Sequence, residues 1–119
     1  MAWFKPLRLA LAALLLASPA AAADTPAVTC LFTTECVEQE PCADTDFSLH
    51  INLVEQEIDT GWGALQIGVT KFMNDATVLF ADDGGANYML TRNGAASALS
   101  VHTTDLSVIT YFGTCEGDF

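Results

Sequence analysis

The chain has 119 residues, with 15 acidic against 4 basic ones and a net charge of −11. That length holds one domain, and so few Lys and Arg exclude a binder of nucleic-acid phosphates, which works by displacing counterions with basic side chains. Anionic membrane surfaces are disfavoured for the same reason, whereas a cationic partner would be attracted.

The start of the chain predicts a signal peptide. Residues 1–8 carry Lys5 and Arg8, residues 9–17 are uninterruptedly apolar, and residues 18–23 are small, with Ala21-x-Ala23 ahead of Asp24. This charged, apolar, small-residue order is that of a secretory peptide cleaved after residue 23. Its apolar run is far short of the ~20 residues that span a bilayer. Cleavage leaves 96 residues in which only Lys71 and Arg92 oppose all fifteen acids, a charge of −13. No twin arginine precedes the apolar run, and no cysteine directly follows the cut. A soluble periplasmic or secreted domain is expected, with no membrane insertion after processing and cysteines paired as disulfides.

The mature chain reads as strands. Residues 28–33 are β-prone, with Val28, Cys30 and Phe32 on one face. Residues 34–46 carry Cys36, Cys42, Pro41, Glu35, Glu38, Glu40, Asp44 and Asp46, and predict an acidic, cysteine-pinned loop. Phe47, Leu49, Ile51 and Leu53 then alternate with polar residues in a strict period of two, the signature of a half-buried strand. Residues 54–60 predict a weaker continuation, with a short helix as the alternative, up to the Gly61-Trp62-Gly63 break. Leu65, Ile67 and Val69 alternate again, and Gly68 suggests a bulge.

Hairpins follow. Residues 76–81 and 86–91 are strands around Asp82-Asp83-Gly84-Gly85, a tight turn. Asn93-Gly94 predicts a type I′ turn into a strand over 95–103, and Thr104-Asp105 turns the chain into a last strand over 106–113. Turns every ten residues or so predict an all-β antiparallel meander, forming a small barrel or a sandwich. One domain, 24–119, is expected.

Cys30, Cys36, Cys42 and Cys115 allow three pairings. All of them, if every cysteine is used, tie the N-terminal cluster to Cys115 and so fix the first strand to the last. Cys30 with Cys115 fits best, because Cys30 lies within a strand, leaving Cys36 with Cys42; Cys36 with Cys115 is the next choice. Spacings of five intervening residues suit neither zinc nor a redox pair.

His50 and His102 fall on polar strand faces. A hydrolase or metal-dependent enzyme would need them to converge. Ser48 and Ser100 each lie two residues from a histidine, about 7 Å along a strand, which is too far for direct activation. Neither Asp44-Thr45-Asp46 nor Asp82-Asp83-Gly84 completes a calcium loop. Neither a catalytic residue, nor a metal, nor a cofactor is assigned. The binding candidates are Glu35, Glu38, Glu40, Asp44 and Asp46 on the acidic loop, and Trp62, whose commoner role would be core packing but which would serve as an aromatic anchor if exposed.

Cys30, the hairpins that include Gly84-Gly85-Ala86-Asn87-Tyr88, and the late Cys115 resemble bacterial periplasmic inhibitors of C-type lysozyme. That resemblance implies a small exported barrel and a strongly basic protein partner. Asp83-Gly84-Gly85 stands where the family's inhibitory loop has a Ser-Gly pair ahead of its Tyr, and the family's lysine-bearing motif has no counterpart, so no inhibitory residue carries over. The ending, residues 111–116, resembles that of small exported bacterial proteins of unknown function. The expected function is a non-enzymatic exported domain that binds a cationic protein or ligand. The alternatives are an enzyme using His50 and His102, and a structural envelope component.

Overall fold

The computed structural model describes residues 27–119; the expected signal peptide and its cleavage site lie outside them. Eight strands follow in chain order: β1 Ala27–Val37, β2 Ala43–Asn52, β3 Glu57–Asp59, β4 Ala64–Met73, β5 Ala76–Asp82, β6 Ala86–Asn93, β7 Ala96–Thr103 and β8 Val108–Glu116. Each pairs antiparallel with the next, and β8 pairs with β1, closing a barrel. The choice between barrel and sandwich is thereby settled. Closure leaves no open sheet edge.

The alternation read in the sequence is the in–out alternation of this barrel. Val28, Cys30, Phe32, Leu49, Ile51, Ile58, Leu65, Ile67, Leu79, Leu90, Leu99, Val101 and Cys115 point inward and are buried together. An eight-stranded barrel has an interior just wide enough for side chains to fill. Phe119 packs against this core, and the Arg92 guanidinium lies 5.2 Å from its ring centroid. These two side chains belong to the end of the barrel that carries the β2–β3, β4–β5 and β6–β7 turns.

Both disulfides follow the favoured pairing. Cys30 bonds Cys115, and the two are direct cross-strand partners of β1 and β8. Cys36 bonds Cys42 across the end of the β1–β2 hairpin, just past the Glu35↔Ala43 pair. Two intramolecular disulfides suit an oxidising compartment.

Three expectations are corrected. The acidic segment 34–46 is mostly strand: β1 runs to Val37, β2 starts at Ala43, and only 38–42 turn. A bulge between Phe32 and Thr34 breaks the alternation there, which is why the strand is hard to see in the sequence. The turn after β6 is Gly94-Ala95, not Asn93-Gly94, because Asn93 pairs with Ala96. Only Gly94 has positive φ, 60°, the type II′ requirement rather than the type I′ one. Residues 54–60 form neither a helix nor a full strand, but a turn followed by the three-residue β3. The bulge anticipated at Gly68 is present, with the β4–β5 register shifting between Ile67 and Val69.

Candidate binding site at the barrel mouth

The end of the barrel opposite Phe119 is open. A cavity of about 660 Å³ enters there, bounded by the end of β1, the start of β2, the β3–β4 and β5–β6 turns and the adjoining ends of β7 and β8. Specific small-molecule sites occupy roughly 300–1,000 Å³. Glu35, Asp46 and Asp83 line it, with Phe47, Trp62, Tyr88 and Tyr111; no Lys, Arg or His does.

The bulge in β1 builds the first wall. Inward positions run Val28, Cys30, Phe32; one extra residue then turns Glu35 inward in place of Thr34. Glu35 pairs across β1–β8 with Tyr111, itself beside the inward Leu99. Phe47 pairs with Phe32 and stands directly above the core. The rings form a continuous run from core to solvent. Phe32 lies 6.1 Å from Tyr111 and from Phe47, Phe47 lies 5.1 Å from Tyr111, and Trp62 stacks on Phe47 at 5.8 Å with 14° between planes.

Trp62 is 86 % exposed, so core packing is not its role. Its turn holds it out. The Gly61 N–H donates to Asp59 Oδ1 at 2.8 Å, the Trp62 N–H donates to Thr60 Oγ1 at 3.2 Å, and the Thr60 N–H donates to the Gly63 carbonyl at 3.0 Å. Gly61 takes φ 87°, which a Cβ would strain.

The facing wall is the β5–β6 turn. Asp83 Oδ1 accepts from the Gly85 and Ala86 N–H groups, both at 2.8 Å, and the Tyr88 hydroxyl donates to Asp83 Oδ2 at 3.2 Å. Those backbone donors hold the Asp83 carboxyl below its usual range. Burial, and then the Asp83 charge, push the Tyr88 phenol up. Tyr111 goes further: burial first, then the Glu35 carboxylate beside it, push it up to about 12. Both phenols therefore stay neutral across the physiological range, while the carboxylate of Asp83 stays charged.

Tyr111 also gives a pH test. Its folded value lies above the ordinary 10, so the folded state keeps a proton that the unfolded state releases. Stability from this group is intact below about pH 10 and falls as pH rises from about 10 toward 12. Thermal unfolding followed by circular dichroism across that window is expected to show a falling midpoint, with a shallower slope in Tyr111→Phe. An equal slope in both proteins would contradict the assignment.

The other sequence candidates divide. Glu35, Asp46 and Trp62 meet at the mouth; Glu38 and Glu40 in the β1–β2 turn and Asp44 on β2 are exposed and do not line it. Asp83, Phe47, Tyr88 and Tyr111 escaped the sequence reading, because they sit in separate hairpins whose convergence depends on closure. His50, on β2, meets Thr29 Oγ1 at 3.1 Å, and His102 is on β7. With β1 and β8 between them, they sit on outward faces at opposite ends of the barrel: His50 aligns through Thr29 with Glu116 and His102 aligns with Val108, which is ~26 Å away along β8. They share no site. His102 Nε2 does reach Ser100 Oγ at 3.1 Å, correcting the distance argument: the imidazole lies down along the strand. No hydrogen bond among the described residues joins its other ring nitrogen to a carboxylate. No three His, Cys, Asp or Glu side chains among the described residues gather closely enough to hold a metal ion.

The fold and the mouth together define a closed, disulfide-bonded eight-stranded meander barrel with an acidic, aromatic opening. No protein-family model, curated protein or solved structure matches the chain.

Proposed function

We propose that this chain is an exported, non-enzymatic binding domain of the periplasm or extracellular space, whose barrel mouth receives a cationic ligand or a cationic side chain of a protein partner. One observation carries the reading: the mouth combines three carboxylates with four aromatic side chains and no basic group. The surplus of acids over the whole domain would steer a cation toward it, and a rigid disulfide-bonded frame would lose little entropy on binding.

Calorimetric titration of the oxidised protein with spermine, and with the basic protein C-type lysozyme that the inhibitor resemblance implies, tests this. At least one is expected to bind at low salt and to weaken steeply as salt is raised. The Glu35→Gln/Asp46→Asn double variant is expected to weaken that binding by about tenfold, equivalent to ~1.4 kcal/mol. Binding that ignores both salt and the variant, or no binding of either probe, would overturn the proposal.

A further inference from the structure

We propose that the cation this mouth is built for is an alkylated ammonium, a trimethylammonium head group carried by a small free solute, seated on the Trp62–Phe47–Tyr111 rings with the mouth carboxylates supplying the counter-charge. The inference rests on the cation-binding reading above and narrows its chemistry.

Three features of the mouth select among cations. The first is the ring run. Trp62 and Phe47 stack nearly parallel and Tyr111 tilts against Phe47, so the rings make one aromatic wall whose solvent end is the exposed Trp62. Cations are held over aromatic faces by the ring quadrupole, with Trp the strongest partner. Trp62 is exposed, and its position is fixed by its own turn.

The second is the state of the carboxylates. Asp83 already accepts two backbone N–H groups and the Tyr88 hydroxyl, and the Glu35 carboxylate lies against Tyr111. Asp83 thus offers negative charge while much of its accepting capacity is used, and Asp46 on the opposite wall is the carboxylate left free to pair with a donor. A primary ammonium brings three N–H donors, and a guanidinium five, that need acceptors once desolvated. A trimethylammonium brings none; it needs only field, apolar contact and π faces. Apolar walls are supplied by Leu65, Val101 and Ile109.

The third is the absence, among the described residues, of a carboxylate–histidine cluster tight enough to ligate a metal, which leaves a divalent ion poorly served at this site. The ligand's source also follows from charge. A phosphocholine lipid carries a phosphate next to its ammonium, which offsets the attraction of the acid-rich domain for the cation. A free solute has no such penalty.

The test uses the oxidised protein and four probes: choline, its uncharged carbon isostere 3,3-dimethyl-1-butanol, ethanolamine as the primary-ammonium counterpart, and phosphatidylcholine vesicles. Choline is expected to bind at least about tenfold more tightly than either the isostere or ethanolamine, and to shift Trp62 emission. Trp62→Ala is expected to weaken choline by about tenfold, with Trp62→Phe between the two; the exposed ring leaves the fold unchanged in both. Vesicles are expected not to retain the protein. Vesicle retention that choline competes away would keep the trimethylammonium chemistry and overturn the free-solute source. Choline binding no tighter than ethanolamine, or unchanged in Trp62→Ala, would overturn the proposal while leaving the cation-binding reading intact if spermine or lysozyme still binds. Failure of every cation would overturn both.

Discussion

Replacing Cys30 and Cys115 together with alanine is expected to lower the thermal unfolding midpoint by about 20–35 °C, against about 10–20 °C for Cys36 and Cys42 together. The difference comes from the chain each bond encloses. The first bond spans a sequence separation of 85 and the second a separation of 6. On the chain-entropy estimate these contribute about 4.6 and 2.4 kcal/mol, and a domain of this size gains about 4–8 °C per kcal/mol. Position widens the gap. Cys30 and Cys115 are buried in the core between β1 and β8, so their removal also leaves a void, whereas Cys36 and Cys42 sit at the rim of a hairpin already closed by its turn. Thermal scans of the two double variants beside the parent check this. Equal losses, or a larger loss from the Cys36 and Cys42 pair, would mean that barrel closure does not depend on the long-range bond.

Gly113→Ala is expected to destabilise by about 3 kcal/mol or more, the upper end of what overpacking costs. Gly113 lies on β8 opposite Phe32, beside the β1 bulge. A Cβ there would collide with the Leu31 carbonyl oxygen and stand 2.6 Å from the Phe32 Cα and 2.7 Å from the Leu31 carbonyl carbon. All three are backbone atoms, so no side chain can rotate away. Nor can the strands part, because the Cys30–Cys115 bond pins them two residues further along. Gly63→Ala is the matched control: nothing lies within 4 Å of its added Cβ, and a change within about 0.5 kcal/mol is expected. Urea unfolding of both variants separates the outcomes, and a Gly113→Ala protein as stable as the control would refute the close β1–β8 seam.

These two sites show which parts of the fold were legible in the sequence. Strands such as 47–53 announced themselves because a barrel wall buries every second residue, and the alternation survives wherever pairing is regular. The Cys30–Cys115 bond was legible because full pairing ties one of the three early cysteines to Cys115, and Cys30 is the one that lies within a readable strand. What failed did so where regularity fails. The bulge after Phe32 shifts the alternation by one residue, so the stretch around Glu35 looked like loop although it is strand. Asn93 looked like a turn residue, yet the register makes it the last paired residue of β6.

The site was legible only in part. Glu35, Asp46 and Trp62 stood out by charge or by their flanking glycines. Tyr111 and Tyr88 looked like ordinary strand residues, and Asp83 like turn chemistry. Their chemistry comes from neighbours that closure supplies: Glu35 beside Tyr111, and Tyr88 reaching Asp83. Glu38, Glu40 and Asp44 share the composition of the site but not its location, since the Cys36–Cys42 bond closes the hairpin outside the mouth. A run of acids therefore overstated the site along the chain and missed the half of it that lies across the barrel.

The most direct measurement is a backbone amide NMR titration of the oxidised protein with choline. Perturbations are predicted to concentrate at Glu35, Asp46, Phe47, Trp62, Asp83, Tyr88 and Tyr111. Perturbations centred instead on Arg92 and Phe119 at the far end, or on the outward faces around His50 and His102, would contradict a barrel that binds through its acidic, aromatic mouth.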